Sequence, residues 1–432
     1  MKGFTVVIAG AGYGGLAAAR TLARRAPDLH VILIDQHDYH LLQFQLHEAA
    51  VNKIDPETLA LPMHALLPRG VEFIQAHITG FGFSARIVHT DRGDFGYDRL
   101  IIALGGQPAT YNIKGLSEHA LMLKSLSDAR RIRGHLLMTL SALKARGANH
   151  PYSIVVGGAG ITGVELAAEL SEGLAEMTHE CDLDPGDVQV MLLEAAPSIL
   201  PGFDAKTVEE ATRVLKQMGV DVRTQAMIEQ VEAERVVVRS NDTSQVIETG
   251  TLIWTGGVRA NWLVSSVGLT LGERGAALVD EHLRSVDHSD VAIIGDSAVV
   301  RDSRDGQVVM PCGQLAKHQG AFIAHDILAE LEGKPRRPYV PHMDGLLISL
   351  GGRRGVGHVG PVWVRRLLAR TLKIGAELRY LLNTGGIALA ALRGLRLRYE
   401  WVKIQRGKLR PKSRISNLKS RTSKRAADEQ ML

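Results

Sequence analysis

The sequence predicts an α/β protein with two parallel-sheet units and a separate basic, helical region toward the C-terminal end. Three observations carry this. An apolar run, a glycine-rich turn and an Ala/Leu-rich helical stretch occur in that order at residues 4–22 (FTVVIAGAGYGGLAAARTL) and again at 153–170 (SIVVGGAGITGVELAAEL). Each is followed by a second apolar run ending in an acid, HVILID at Asp35 and VQVMLLE at Glu194. Charge is unevenly placed: from residue 361 onward there are 18 Lys/Arg against 4 Asp/Glu, leaving 33 against 42 in the rest of the chain.

A chain of 432 residues is too long for one ordinary core, which predicts two or three domains. The 45 glycines suit an α/β protein with many tight turns. Two cysteines, Cys181 and Cys312, cannot form a disulfide framework and have no C-x-x-C or zinc spacing, so a reducing compartment and no metal site are expected. The apolar start carries glycines suited to a strand–turn–helix and almost no basic leader, which argues against a signal peptide. No window of 18–20 uninterrupted apolar residues predicts a membrane-spanning helix.

In the first unit, TVVIAG reads as a central strand covered on both faces. Gly10, Gly12 and Gly15 supply G-x-G-x-x-G: a tight turn, room for a pyrophosphate against the backbone, and close helix–strand packing. Asp35 stands where a carboxylate would accept a ribose hydroxyl. In the second unit the matching residues are Gly158, Gly160, Gly163 and Glu194. An acid there suits a free 2′-hydroxyl and repels a 2′-phosphate, so NADH is expected rather than NADPH. These units therefore read as two Rossmann-like dinucleotide-binding domains, one for a bound cofactor and one for a passing one.

Further segments resemble the two-dinucleotide flavoprotein oxidoreductases. YDRLIIALGGQP (97–108) is similar to the close of their first FAD segment, LIWTGGVRAN (252–261) to the return from their NAD domain, and SDVAIIGDSAVV to their last FAD strand. Within that superfamily the chain resembles the type II NADH dehydrogenases, single-subunit NADH:quinone oxidoreductases that do not pump protons. DQHDYHLLQFQLHEAA, GITGVELAAELSE and PCGQLAKHQG carry the resemblance. The third differs from the family's Ala-Gln-x-Ala-x-Gln-Gln in having Gly313 and His318. The resemblance implies an FAD site formed by Gly10, Gly12, Gly14, Gly15, Asp35, Gly105, Asp296, Gln314, Leu315 and Ala316. It implies an NADH site formed by Gly158, Gly160, Gly163, Glu165, Glu194, Gly256 and Gly257, and catalytic candidates Glu165, Gln314 and His318. Two other readings stay open: a sulfide:quinone reductase using Cys312, and an NADH-responsive flavoprotein sensor or scaffold.

The implied reaction takes hydride from NADH to FAD and then two electrons to a membrane quinone. Expected boundaries are 1–115 and 275–340 for a discontinuous FAD domain, with an NADH domain at 120–270 inserted. A membrane-associating region at 341–404 and a basic disordered tail at 405–432 would follow. From Val364, apolar residues at 367, 368, 372, 378, 381 and 382 form a helical stripe, with Arg365, Arg366, Arg370, Lys373 and Arg379 on other faces. Trp363, Tyr399 and Trp401 suit a headgroup level. This predicts a C-terminal basic amphipathic helix lying in the membrane surface, on the cytoplasmic side, as a peripheral attachment. No reader motif accompanies the basic end, so no nucleic-acid partner is expected. The sequence leaves monomer and homodimer open.

Overall fold

The two apolar runs become the central strands of two five-stranded parallel sheets. The computed structural model describes residues 3–146, 151–181, 183–241 and 243–407. In the first sheet the order is Val291–Ile293, Arg99–Ile102, Thr5–Ala9, His30–Asp35, Val71–Gln75, every neighbour parallel. In the second it is Leu121–Met122, Thr251–Trp254, Tyr152–Gly157, Val188–Leu193, Asp221–Arg223, again all parallel. Val6, Val7, Ile8 and Ala9 are fully buried, as are Val155 and Val156, because helices cover both faces of a parallel sheet. Each sheet thus places its glycine turn at the C-terminal end of its central strand, beside the return strand. That end is where open α/β sheets bind ligands.

The first sheet takes its outermost strand from a part of the chain that follows the whole second sheet. The chain crosses between the sheets in two places, and these crossings pair with each other. Gly106–Pro108 runs antiparallel to Val258–Ala260, with Gly106 opposite Ala260. Each sheet also carries a three-stranded antiparallel meander, 78–96 on the first and 226–248 on the second.

After the helix Gly313–Leu331 comes a third antiparallel meander of Gly345–Ser349, Gly355–Val359 and Val362–Arg365. This corrects the expectation of a helical stripe from Val364. The helix begins only at Arg366, because Val362 and Val364 alternate across a strand that pairs with Gly355–Val359. Trp363 is likewise in that strand, where its indole N–H donates to Thr207 Oγ1 (3.2 Å). Contacts divide the chain into Met1–Arg379 and Tyr380–Leu432. The helix Arg366–Gly407 spans that division and has one non-helical residue, Gly386 (φ 76°), at the NTGG stretch. No helix among the described residues is long and apolar enough to cross a membrane. The basic tail lies outside the described residues from 408 on.

The first turns of the C-terminal helix are amphipathic in an inverted sense. Ala369, Arg370, Lys373 and Glu377 face the body, whereas Leu367, Leu368, Ile374 and Leu378 are 64, 59, 49 and 46% exposed. Arg370 and Lys373 lie on a face apart from the leucines, as the stripe predicts, and that face is the one turned toward the body. Buried Glu48 and Glu165 draw them inward.

Candidate functional site: two matched cradles and a buried ion network

The two glycine turns match bond for bond. Gly10 N donates to Ile34 O and Gly158 N to Leu193 O, both at 2.8 Å. Ala11 N donates to Asp35 Oδ2 and Ala159 N to Glu194 Oε2, both at 2.7 Å. The other carboxylate oxygen accepts from His37 N in the first and Ala196 N in the second. Gly10 and Gly158 have φ of 104° and 97°, and a Cβ on Gly15 or Gly163 would overlap the carbonyl of Gly10 or Gly158. Side chains are thus excluded where the helix crosses the strand, while Gly12 and Gly160 face open space.

These turns fit a pyrophosphate. The helices Tyr13–Arg25 and Ile161–Glu180 start without a side-chain cap and without an acid in the first turn. Their leading N–H groups and the positive end of the helix dipole are left for an anion. Asp35 and Glu194 each take one backbone N–H on each oxygen in this way, and a carboxylate oxygen has a further lone pair for a ribose hydroxyl. Burial pushes the Asp35 carboxyl above its usual value, against the backbone hydrogen bonds from Ala11 and His37.

The helix Gly313–Leu331 closes over the first cradle. Gly14 and Gly320 touch backbone to backbone, and a Cβ on Gly320 would overlap Gly14 O. This brings Ala316 against Gly14 and Gly295, and Leu315 is fully buried. Gln319 Oε1 accepts from Gly295 N (2.7 Å), next to Asp296, whose Oδ2 meets Lys124 Nζ at 3.2 Å. Gly105 O accepts from Ser297 Oγ (3.1 Å) and Asn261 N (3.1 Å), joining the end of the first sheet to the crossing ribbon. Gly256 lies against Gly158, and Gly257 O accepts from Ala109 N (3.0 Å). Lys124 has no signal in the sequence. His40 and Tyr13 were missed too: His40 Nδ1 is 3.2 Å from Ala11 O, and its ring packs edge-on against Tyr13. Burial pulls the His40 pKa down to about 4, so it stays neutral there.

Glu165 lies beyond the second cradle and is only 5% exposed. Its Oε1 accepts from Ser349 N (2.8 Å) and Ser349 Oγ (2.9 Å) and pairs with Lys373 Nζ. Oε2 is 3.7 Å from His47 Nδ1. Burial alone would push the carboxyl up. The Lys373 ammonium, His47 and the Ser349 hydrogen bond outweigh it, so Glu165 is held below its ordinary value. Around it, Arg370 pairs with Glu48 (2.9 Å), Lys53 joins Glu169 and Glu172, and Gln45 donates to Glu377 Oε2 (3.0 Å). His47, Glu48 and Glu169 bring ligand-type atoms within 4.8 Å of one another, but Lys53 and Arg370 already serve as their counterions. Glu377 faces Glu48, Arg370, Lys373 and Glu165, and burial pushes it up to about 7. Sequence reasoning found Glu165 alone of this group; His47, Ser349 and Lys373 stand far apart in the chain.

Gln314 and His318, one helical turn apart, both meet the segment 342–345. The Gln314 amide accepts from Asp344 N (2.6 Å) and donates to Gly345 O (3.1 Å). His318 Nδ1 is 2.9 Å from His342 O, and the two imidazoles stack. Burial, opposed by that contact and helped by Lys317, lowers the His318 pKa. Burial pushes the Cys312 thiol up, which disfavours a thiolate nucleophile.

Residues 4–320 match the pyridine nucleotide-disulphide oxidoreductase family. A type II NADH:quinone oxidoreductase of Staphylococcus saprophyticus is 30% identical over 396 residues, covering 90% of this chain and 98% of that one. One from Staphylococcus epidermidis is 31% identical over 397 residues, with the same shares covered. Among solved structures, NDH2 of Plasmodium falciparum in complex with NADH has a TM-score of 0.82 at 16% identity, covering 93% of this chain and 98% of that one. A sulfide:quinone oxidoreductase from Aquifex aeolicus has a TM-score of 0.75 at 18% identity, covering 90% and 93%. These two establish the shared fold. With two matched dinucleotide cradles and relatives aligned over nearly their whole length, the chain belongs to the pyridine nucleotide-disulphide oxidoreductases and, within them, to the type II NADH:quinone oxidoreductase family.

Proposed function

We propose that this protein is an FAD-dependent NADH:quinone oxidoreductase. The observation that carries the reading is the presence of two cradles of one geometry in a single chain of this family. FAD, when bound, supplies a two-electron carrier between a hydride donor and a quinone. The first cradle, with Asp35, Asp296 and the start of the helix Gly313–Leu331, would hold FAD. The second, with Glu194, would hold NADH. The units holding them are residues 1–115 with 275–340, and 120–270.

Quinone reduction consumes two protons, and Glu165 with Lys373 is the pair we assign to proton handling. Their contact is nearly dry, so a proton lost from Lys373 would leave Glu165 without its counterion and raise its affinity for a proton. Gln314 and His318 shape the segment 342–345 beside the start of their helix. The exposed leucines of the C-terminal helix support attachment to a membrane surface, where the quinone dissolves; we place that surface on the cytoplasmic side.

The test is anaerobic addition of NADH to the purified flavoprotein, followed by a series of quinones. The expected result is bleaching of the flavin absorbance by NADH and its rapid return with quinone. An unbleached flavin overturns the reading. Bleaching by sulfide instead, lost in Cys312→Ser, would give the sulfide:quinone alternative. Bleaching by NADH without turnover on any quinone would indicate a sensor.

A further inference from the structure

We propose that an arginine-lined cleft at the start of the C-terminal helix binds the phosphate of an anionic phospholipid headgroup. This rests on the membrane-surface reading above and adds to it a place and a lipid class. The cleft, of about 420 Å³, opens between the helix Ala205–Gln217, the turn after Gly345–Ser349 and the first residues of Arg366–Gly407. Arg213, Arg353, Arg354 and Arg366 line it, with Glu210 as the one carboxylate among the lining residues.

Glu210 is already committed, since it takes the Arg213 guanidinium in a two-point contact at 3.0 and 2.7 Å. Arg353, Arg354 and Arg366 make no ion pair among the described residues. Three exposed guanidiniums from two elements thus line one cleft, none of them in contact-distance pairing with a carboxylate among the described residues, in a body whose charge outside the C-terminal region is net acidic. Like charges lining one cleft repel, and an anion bound among them relieves that repulsion. Guanidiniums meet phosphate oxygens in paired, planar hydrogen bonds, which makes a phosphate group the matching ligand.

The rim decides for a lipid over a free phosphate. Leu367 lines the cleft and is exposed, and Leu368, Ile374 and Leu378 continue an exposed apolar row along the same helix. The cleft's volume suits a headgroup, leaving acyl chains to lie along that row. A cationic cleft bordered by outward leucines is complementary to an anionic bilayer surface, where each basic residue strengthens attachment.

The experiment is co-sedimentation of the full-length flavoprotein with vesicles of pure phosphatidylcholine or of phosphatidylcholine mixed with phosphatidylglycerol. The wild type is compared with Arg353→Gln/Arg354→Gln/Arg366→Gln and with an equal charge removal in the tail, Lys419→Gln/Arg421→Gln/Lys424→Gln. FAD content and melting temperature confirm that both variants fold. The expected result is preference for phosphatidylglycerol vesicles, weakened roughly tenfold or more by the cleft variant and clearly less by the tail variant. Equal losses in both variants, or a cleft variant that keeps the preference, overturn the proposal and leave membrane attachment standing. Wild-type protein that sediments with neither vesicle overturns the membrane reading itself. Protection by inorganic phosphate of the wild type but not the cleft variant against thermal unfolding, with no preference between vesicles, assigns the cleft to a free phosphate and overturns the lipid assignment.

Discussion

Glu377 shows how one buried side chain sets a pH response. It is raised to about 7 from an ordinary 4.5, by burial first, then by Glu48 and Glu165 against the pull of Lys373 and Arg370. Between those two values the native state holds a proton that the unfolded chain has released. Stability is therefore highest below the unfolded value and falls as pH rises through the window. Glu377→Gln mimics the protonated form. It should match the wild type near about pH 4 and exceed it by up to about 3 kcal/mol near about pH 8, read as a widening gap in denaturant midpoint. Glu165 has the opposite sign, because Lys373 is bound to it. Lys373→Met leaves a buried carboxylate without its partner and should cost about 3–5 kcal/mol at neutral pH. The double variant with Glu165→Gln should recover most of that loss, a cycle that separates the pair from the packing of the methylene stem.

At the scale of elements, the contact of Tyr13–Arg25 with Gly313–Leu331 is set by Gly14 and Gly320. Two effects oppose each other in Gly320→Ala. Alanine favours a helix interior by about 1 kcal/mol over glycine. The new methyl, however, would overlap the Gly14 carbonyl, which is backbone and cannot rotate away. The clash wins, so a net loss of about 1–3 kcal/mol is expected by denaturant titration, with FAD released at lower denaturant. The cradles themselves were legible in the sequence, because glycine spacing and a strand-end acid encode local geometry: Asp35 and Glu194 both bond back to their own turns. The strand Val362–Arg365 was not legible as a strand. Val364 and Leu367 fit a helical period, while Val362 and Val364 fit a period of two, and only pairing with Gly355–Val359 decides between them.

For the whole molecule, the inward turn of Arg370 and Lys373 is the feature least legible in the sequence. Periodicity groups Leu367, Leu368 and Leu378 apart from Arg370 and Lys373 but cannot say which group turns inward. Buried Glu48 and Glu165, remote in sequence, need cations, and this requirement overrides the usual apolar-inward rule. Leu367→Ser/Leu368→Ser should therefore leave the melting temperature almost unchanged while reducing vesicle binding, since these side chains bury little in the free protein. The crossing ribbon has a different consequence. Residues 105–108 and 258–261 lie side by side, bonded through Gly105 O and Asn261 N. The intervening chain therefore leaves and re-enters at one seam, like a cassette in a slot. A short hairpin turn joining the two paired strands would bypass it and still return the chain to Val291–Ile293, the strand that completes the first sheet. Excision, transplantation and shuffling of the segment between the paired strands are thus topologically cheap in this architecture, with no strand of the remaining sheet left to rethread.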